Sequence, residues 1–246
     1  MTLQPQMTEP AKPPPLFLCL MEFPFALRGL LRSMRFDRSY SAEPTGKRQP
    51  VLVLPGFMSS DRATQRLRRF IDRLGYTAYP WGLGRNRANL EDMDVLLAKL
   101  DDIYARHQQP ITLIGWSLGG VYARELAKQK PRLIQQVITL GTPFNGITAP
   151  NHVAWLYALL KTGKSAAEPE AEWLSSLPQP PPVPTVAIYS RRDGVVNWET
   201  CRESVADDMH QSIEVRTGHI EMIYHPTVWR VLENLLPGMT GHRSKK

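Results

Sequence analysis

Ile111-Thr112-Leu113-Ile114-Gly115-Trp116-Ser117-Leu118-Gly119-Gly120 decides the fold. Its first four residues are aliphatic or β-branched, the composition of a short strand buried on both faces. Gly115 and Gly119 then stand two residues before and two after Ser117, which permits a sharp reversal from strand into helix. Residues 121–130 read as that helix. With glycine and serine each at about 7% of residues, the bare pattern has roughly a one in ten chance of arising in a chain this long. A buried strand before it and a helix after it give it weight. Such a turn lifts a hydroxyl above the strand end and sets the next N–H, that of Leu118, at a helix N-terminus.

Outward from this turn the chain alternates between strand-like and helix-like pieces. Upstream, residues 51–54 are an apolar strand ended by Pro55-Gly56. Ser59 or Ser60 is placed to cap a helix with Leu67, Phe70, Ile71 and Leu74 on one face, stopping at Gly75. A strand at 77–81, a loop Gly82-Leu83-Gly84-Arg85-Asn86, and a helix through Leu90, Val95, Leu96, Leu100 and Ile103 follow. Downstream come strands at 137–140, 186–189 and 213–215 and a C-terminal helix around 228–236. Strands separated by helices require parallel pairing. The expected class is α/β: a mostly parallel central sheet flanked by helices, in one domain over residues 48–240. Residues 147–184 break the rhythm with a helical piece at 152–160 and a proline-rich run. An insertion of this length predicts a small cap or lid above the strand ends. Its Val153, Trp155, Leu156, Leu159 and Leu160 lean toward an acyl or lipid-like substrate.

The formal net charge is +7, with arginines grouped at Arg28, Arg32, Arg35 and Arg38 and at Arg62, Arg66, Arg68, Arg69 and Arg73. Runs of this kind read as solvated helix faces. No nucleic-acid-binding module accompanies them, so nucleic acid is not an expected partner. Cys19 and Cys201 are the only cysteines, which fits a reducing compartment and a cytoplasmic protein. Residues 1–47 form a separate N-terminal segment, and 241–246 a basic tail. In the former, Glu22 and Pro24 cut the apolar run 16–21 far short of a bilayer span, and neither a basic leader nor a cleavage site flanks it. From 25 to 36, Leu27, Leu30, Leu31 and Met34 recur at helical spacing. This predicts a helix packed on the domain's own surface, with peripheral contact at the inner membrane face as the alternative.

A serine hydroxyl is a weak nucleophile that needs a base and donors for the oxyanion it creates. Where a turn like that of Ser117 carries catalysis, the acid follows the serine and the histidine follows the acid. His152 lies in the insertion before any suitable acid, His210 precedes the last strand, and His242 falls in the tail. His219, in Thr217-Gly218-His219 directly after the last strand, is the candidate base, and His225 competes with it. Asp193, just past strand 186–189, is the candidate acid, with Glu199 the nearest alternative. In Pro55-Gly56-Phe57-Met58, the N–H of Phe57 is the candidate oxyanion donor beside that of Leu118, with Met58 second. Taken singly, Pro55-Gly56 and Asp193-Gly194 are ordinary turn dipeptides; their places at successive strand ends give them meaning. Met58, Trp116 and Phe144 are the candidate substrate-binding residues. Histidines and cysteines lack ligand spacing and no phosphate loop is present, so no metal or cofactor is expected.

As a set these segments resemble the lipase and esterase branch of the α/β-hydrolase superfamily, over residues 51 to about 236. Pro55-Gly56-Phe57 is similar to the His-Gly-apolar oxyanion loop of bacterial lipases, with proline in place of histidine. Residues 115–120 resemble the nucleophile elbow. Gly141-Thr142-Pro143-Phe144-Asn145-Gly146 resembles the Gly-Thr-Pro segment of triacylglycerol lipases. The resemblance implies an α/β-hydrolase fold, Ser117, Asp193 and His219 as triad, and ester or thioester bonds as targets. The expected activity is cleavage of a small-molecule ester or lipid-like substrate through an acyl-enzyme. Acyl transfer or thioester hydrolysis by the same triad, and a non-catalytic binding protein on this fold, are the alternatives. Trp81-Gly82-Leu83-Gly84-Arg85-Asn86 is also similar to a segment of uncharacterised bacterial hydrolases, in which a structural role is expected for Arg85 and Asn86.

Overall fold

Nearly every strand is apolar enough to need cover on both sides, and that requirement sets the architecture. The computed structural model describes residues 14–40, 44–89, 91–145 and 176–238. Among them β1 (Pro50–Leu54), β2 (Thr77–Pro80), β3 (Ile111–Trp116), β4 (Ile134–Leu140), β5 (Thr185–Tyr189) and β6 (His210–Glu214) form one sheet. The strand order is β2-β1-β3-β4-β5-β6, and every adjacent pair is parallel. The α-helices among the described residues are α1 (Leu16–Ser39), α2 (Asp61–Arg73), α3 (Asp92–His107), α4 (Leu118–Gln129) and α5 (Pro226–Leu235). The α/β class and the parallel sheet are as the sequence predicts. The predicted cap falls, as far as residue 175, outside the described residues.

Alternate residues of a strand face opposite layers, and β1 divides accordingly. Leu52 and Leu54 pack with Leu96 and Leu100 of α3 and Val121 and Leu126 of α4. Val51 and Val53 pack with Leu67, Phe70 and Ile71 of α2 and Trp229 of α5. On β3, Leu113 joins the first layer and Ile114 and Trp116 the second. The strand order reverses at β1, so its crossovers leave in opposite directions. Sheets of this type hold ligands at such a switch point, which here is at the carboxyl ends of β1 and β3.

The boundaries that differ most tellingly from expectation are those of α4, β6 and α1. α4 begins at Leu118 rather than 121, leaving no residue between the Ser117 turn and the helix. β6 begins at His210 rather than 213, because the edge strand is built by pairing with β5 (Thr185 opposite His210) through residues without apolar periodicity. α1 starts at Leu16 and runs through Pro24. A proline there forfeits one intrahelical bond, and Pro24 sits on the exposed face. Ser60 occupies the N-cap of α2 without a side-chain cap bond, whereas Ser59 Oγ donates to the Gly56 carbonyl at 2.7 Å. Among the described residues, no helix is long and apolar enough to cross a membrane.

α1 follows the predicted packing on its inner face. Its inward row is Leu18, Glu22, Phe25, Gly29, Ser33 and Phe36, buried or half-buried and spaced three and four apart. Phe36 meets Trp229 of α5 edge-on at 5.9 Å, and Trp229 stacks on Phe70 of α2 at 4.8 Å.

Candidate active site

β3 ends at Trp116 and α4 begins at Leu118, so the change of direction falls on Ser117, at φ 53° and ψ −123°. Such a conformation costs a non-glycine residue about 1–3 kcal/mol and persists only where its surroundings hold it. Here the Ser117 N–H donates to the Leu140 carbonyl at 2.8 Å and its carbonyl accepts from Gly120 N–H at 2.9 Å. The flanking glycines are required by close approach. A Cβ at Gly115 would stand 2.3 Å from Gly120 Cα, and one at Gly119 would stand 2.2 Å from the Leu54 carbonyl oxygen.

The turn after β1 lies against this one, since a Cβ at Gly56 would stand 3.2 Å from Ser117 Cβ. Its shape is fixed by Asn86, which has no exposed surface. Asn86 Nδ2 donates to the Pro55 carbonyl at 2.8 Å, and its own carbonyl accepts from Met58 N–H at 2.7 Å. The Met58 N–H is therefore occupied. The N–H groups of Phe57 and Leu118 form no hydrogen bond among the described residues.

Asp193 and His219 meet at the same sheet edge. Asp193 Oδ2 and His219 Nδ1 are 2.7 Å apart, and both residues are 3% exposed. The other carboxylate oxygen, Oδ1, accepts from the N–H groups of Val195 and Val196 at 2.9 and 2.8 Å, which fixes the carboxylate plane. A carboxylate only accepts, so Nδ1 carries the hydrogen and the lone pair of Nε2 is left. A Cβ at Gly141 would stand 3.0 Å from His219 Nδ1 and 3.2 Å from Asp193 Oδ2. The pair therefore rests on the Leu140-Gly141 turn to which Ser117 is bonded. Trp116, the neighbour of Ser117, donates its indole N–H to the His219 carbonyl at 3.1 Å. Burial alone pushes the His219 imidazole down. The Asp193 charge and hydrogen bond, with the Glu22 charge, outweigh it and hold the ring above its ordinary value.

Glu22, only 3% exposed, brings α1 into this arrangement. Its Oε1 accepts from the N–H groups of Gly194 and His219, each at 2.8 Å, and its Oε2 from Ile220 N–H at 2.9 Å. One carboxylate thus ties the acid loop to the histidine loop. The Leu18 carbonyl oxygen lies 2.3 Å from where a Cβ at Gly194 would stand, so only glycine lets α1 approach this closely. Ser190 makes a second tie, donating to the Thr217 carbonyl at 2.6 Å. Glu22, Ser190 and Asn86 were not singled out in the sequence as site residues. The available signal was Glu22 itself, the acidic residue in phase with the inner row of α1.

The remaining candidates lie elsewhere or are otherwise engaged. His225 caps α5, accepting from Thr227 N–H at 3.2 Å. Burial, then Arg32 and Arg28, push it down to about 4. His210 begins β6, at the opposite end of the sheet, with Nε2 3.1 Å from the Pro181 carbonyl. Glu199 is exposed. Of the candidate substrate-binding residues, Met58 is exposed and Trp116 braces His219. Phe144 is wholly buried, with the Arg124 guanidinium 3.6 Å above its ring. His152 and His242 lie outside the described residues.

The sheet order, the reversal at β1 and the turn at Ser117 define an α/β-hydrolase fold, and solved structures of that fold superpose on the chain. A monoacylglycerol lipase of Paleococcus ferrophilus does so with a TM-score of 0.58 at 13% identity, over 80% of this chain and 96% of that one. A metagenome-derived lipolytic enzyme of the LipS and LipT pair gives 0.60 at 19% identity, over 80% and 95%. A thioesterase domain from the curacin biosynthetic pathway gives 0.52 at 16% identity, over 80% and 93%. No protein-family model and no curated protein matches the sequence.

Proposed function

We propose that the protein is a serine-dependent carboxylic ester hydrolase, with Ser117 as nucleophile, His219 as general base and Asp193 as its orienting acid. The observation that carries this reading is the 2.7 Å bond between Asp193 and His219, two buried side chains meeting beside the Ser117 turn. Ser117 Oγ attacks the ester carbonyl carbon and its proton passes to His219 Nε2. Asp193 stays ionised and stabilises the imidazolium. The N–H groups of Phe57 and Leu118, unbonded among the described residues, hold the oxyanion, each donor of this kind being worth about 2.7–4 kcal/mol. The tetrahedral adduct collapses, and the alcohol leaves with the proton from His219. Water then attacks the acyl carbon, returns a proton through His219 to Ser117, and releases the acid.

Phe57 is chosen over Met58 because the Met58 N–H already bonds to Asn86. A small ester with an acyl or lipid-like portion is the proposed substrate, with Met58 on the exposed rim. The lipolytic activity named for the neighbours supports that class. Ser117→Ala should lower turnover of p-nitrophenyl esters by about four orders of magnitude or more. Unchanged turnover by that variant rejects the assignment. A panel of ester chain lengths and acyl thioesters then defines the acyl group and the leaving atom.

A further inference from the structure

α1 has two faces, and the proposed chemistry uses only the inner one. The outer face carries Leu16, Leu20, Phe23, Leu27, Leu31 and Met34, spaced three and four apart from the start of the helix. They are exposed, Phe23 by 78% and Leu20 by 69%. At 1.5 Å per residue the stripe from Leu16 to Met34 is roughly 27 Å long. An apolar strip this continuous is not ordinary surface for a soluble domain.

Charge identifies what covers it. Arg28 and Arg35 are exposed on the same helix, and Arg230 of α5 is exposed beside it, with its guanidinium 5.7 Å from the Phe36 ring. Glu22, the one acidic residue of α1 between Leu16 and Met34, is turned inward. A long apolar stripe flanked by arginines, on a helix too polar to span a bilayer, matches a helix lying in the plane of an anionic membrane. We infer that the outer face of α1 docks on an anionic phospholipid bilayer, with its apolar side chains at the headgroup–acyl boundary and its arginines on lipid phosphates. Docking would bring the bilayer close to the His219 and Asp193 loops, because Glu22 on the same helix is bonded to both. The contact requires no turnover.

Co-sedimentation of the full chain with sucrose-loaded vesicles tests this. Vesicles of phosphatidylcholine with phosphatidylglycerol should pellet the protein, less so at high salt, and those of phosphatidylcholine alone should bind at least about tenfold more weakly. A Phe23→Ser, Leu27→Ser double variant should lose about a hundredfold in partitioning, roughly tenfold per buried side chain. An Arg28→Gln, Arg35→Gln variant should lose about tenfold on the anionic vesicles alone. These side chains are exposed, so both variants should keep the wild-type circular dichroism and melting. Ser117→Ala should pellet as the wild type does, which separates docking from catalysis. Absence of pelleting with anionic vesicles, or unchanged pelleting of the serine double variant, rejects the inference. So does a soluble dimer that the serine variant dissolves while vesicle binding is absent, since a second copy would then cover the stripe.

Discussion

At the scale of single residues, the site is governed by a balance around His219 that can be tipped in a known direction. Burial disfavours the imidazolium, and Asp193 followed by Glu22 restores it, leaving the ring above the ordinary value of about 6.5. The proposed base must be neutral to take the Ser117 proton. Activity should therefore fall as pH drops through a value above that of a free histidine, and plateau on the alkaline side. In Asp193→Asn the charge is gone and burial remains, so the acid limb of kcat/KM should move below the ordinary value. The rate should fall by about 10⁴ as the tautomer is lost. An acid limb left in place would mean that His219 is not the titrating group. Glu22→Gln tests the brace. An amide has one acceptor oxygen where the carboxylate has two, so at least one of the three N–H groups loses its partner. Expected are a kcat lower by about ten- to a hundredfold with little change in KM, and an acid limb moved to lower pH. Lost packing alone would not move that limb. The brace was barely legible in the sequence, where Glu22 is in phase with the inner row of α1 but reads as a break in an apolar run. Its partners lie 172 to 198 residues away.

At the scale of elements, the legible features were those whose signal is local. β1, β3, β4 and β5 are apolar runs between turn residues, and each lies within a residue or three of where the sequence places it. Ser117, Asp193 and His219 can be put forward together from the sequence because each follows a strand, and the carboxyl ends of parallel strands lie on one side of the sheet. β6 was read short because its first residues, His210, Gln211 and Ser212, owe their pairing to β5. The N-terminal part of α1 was missed because Pro24 reads as a boundary, although it lies on the solvent face. The Ser117 turn shows how strictly an element junction constrains a residue. Gly119→Ala would place a methyl 2.2 Å from the Leu54 carbonyl, a backbone atom with little room to yield. The expected cost is at least about 1–3 kcal/mol in urea unfolding. Ester turnover should fall further than the folded fraction does, because the Leu118 N–H is displaced with the turn. Equal losses in the two measurements would separate the turn from catalysis.

At the scale of the whole molecule, Arg124 and Glu203 connect parts of the chain that the sheet leaves apart. Arg124 stands on α4, with no exposed surface, and Glu203 precedes β6. The two form a buried, two-pronged ion pair, with Arg124 Nη2 also donating to the Gln179 carbonyl at 3.2 Å and the Phe144 ring beneath. Desolvation lowers the Arg124 pKa, and Glu203 opposes that loss by charge and hydrogen bond. The pair is therefore poised between a large cost and a large compensation. Removing one partner removes only the compensation. Glu203→Ala should destabilise the fold by about 3–5 kcal/mol, because the guanidinium stays buried without its counterion. Replacing both, as Arg124→Met with Glu203→Leu, removes cost and compensation together and should restore stability to near the wild-type value or above it. Urea unfolding of Arg124→Met, Glu203→Leu and the double variant measures the coupling. A double variant no more stable than Glu203→Ala would mean that Phe144 and Gln179, rather than the missing charge, set the loss.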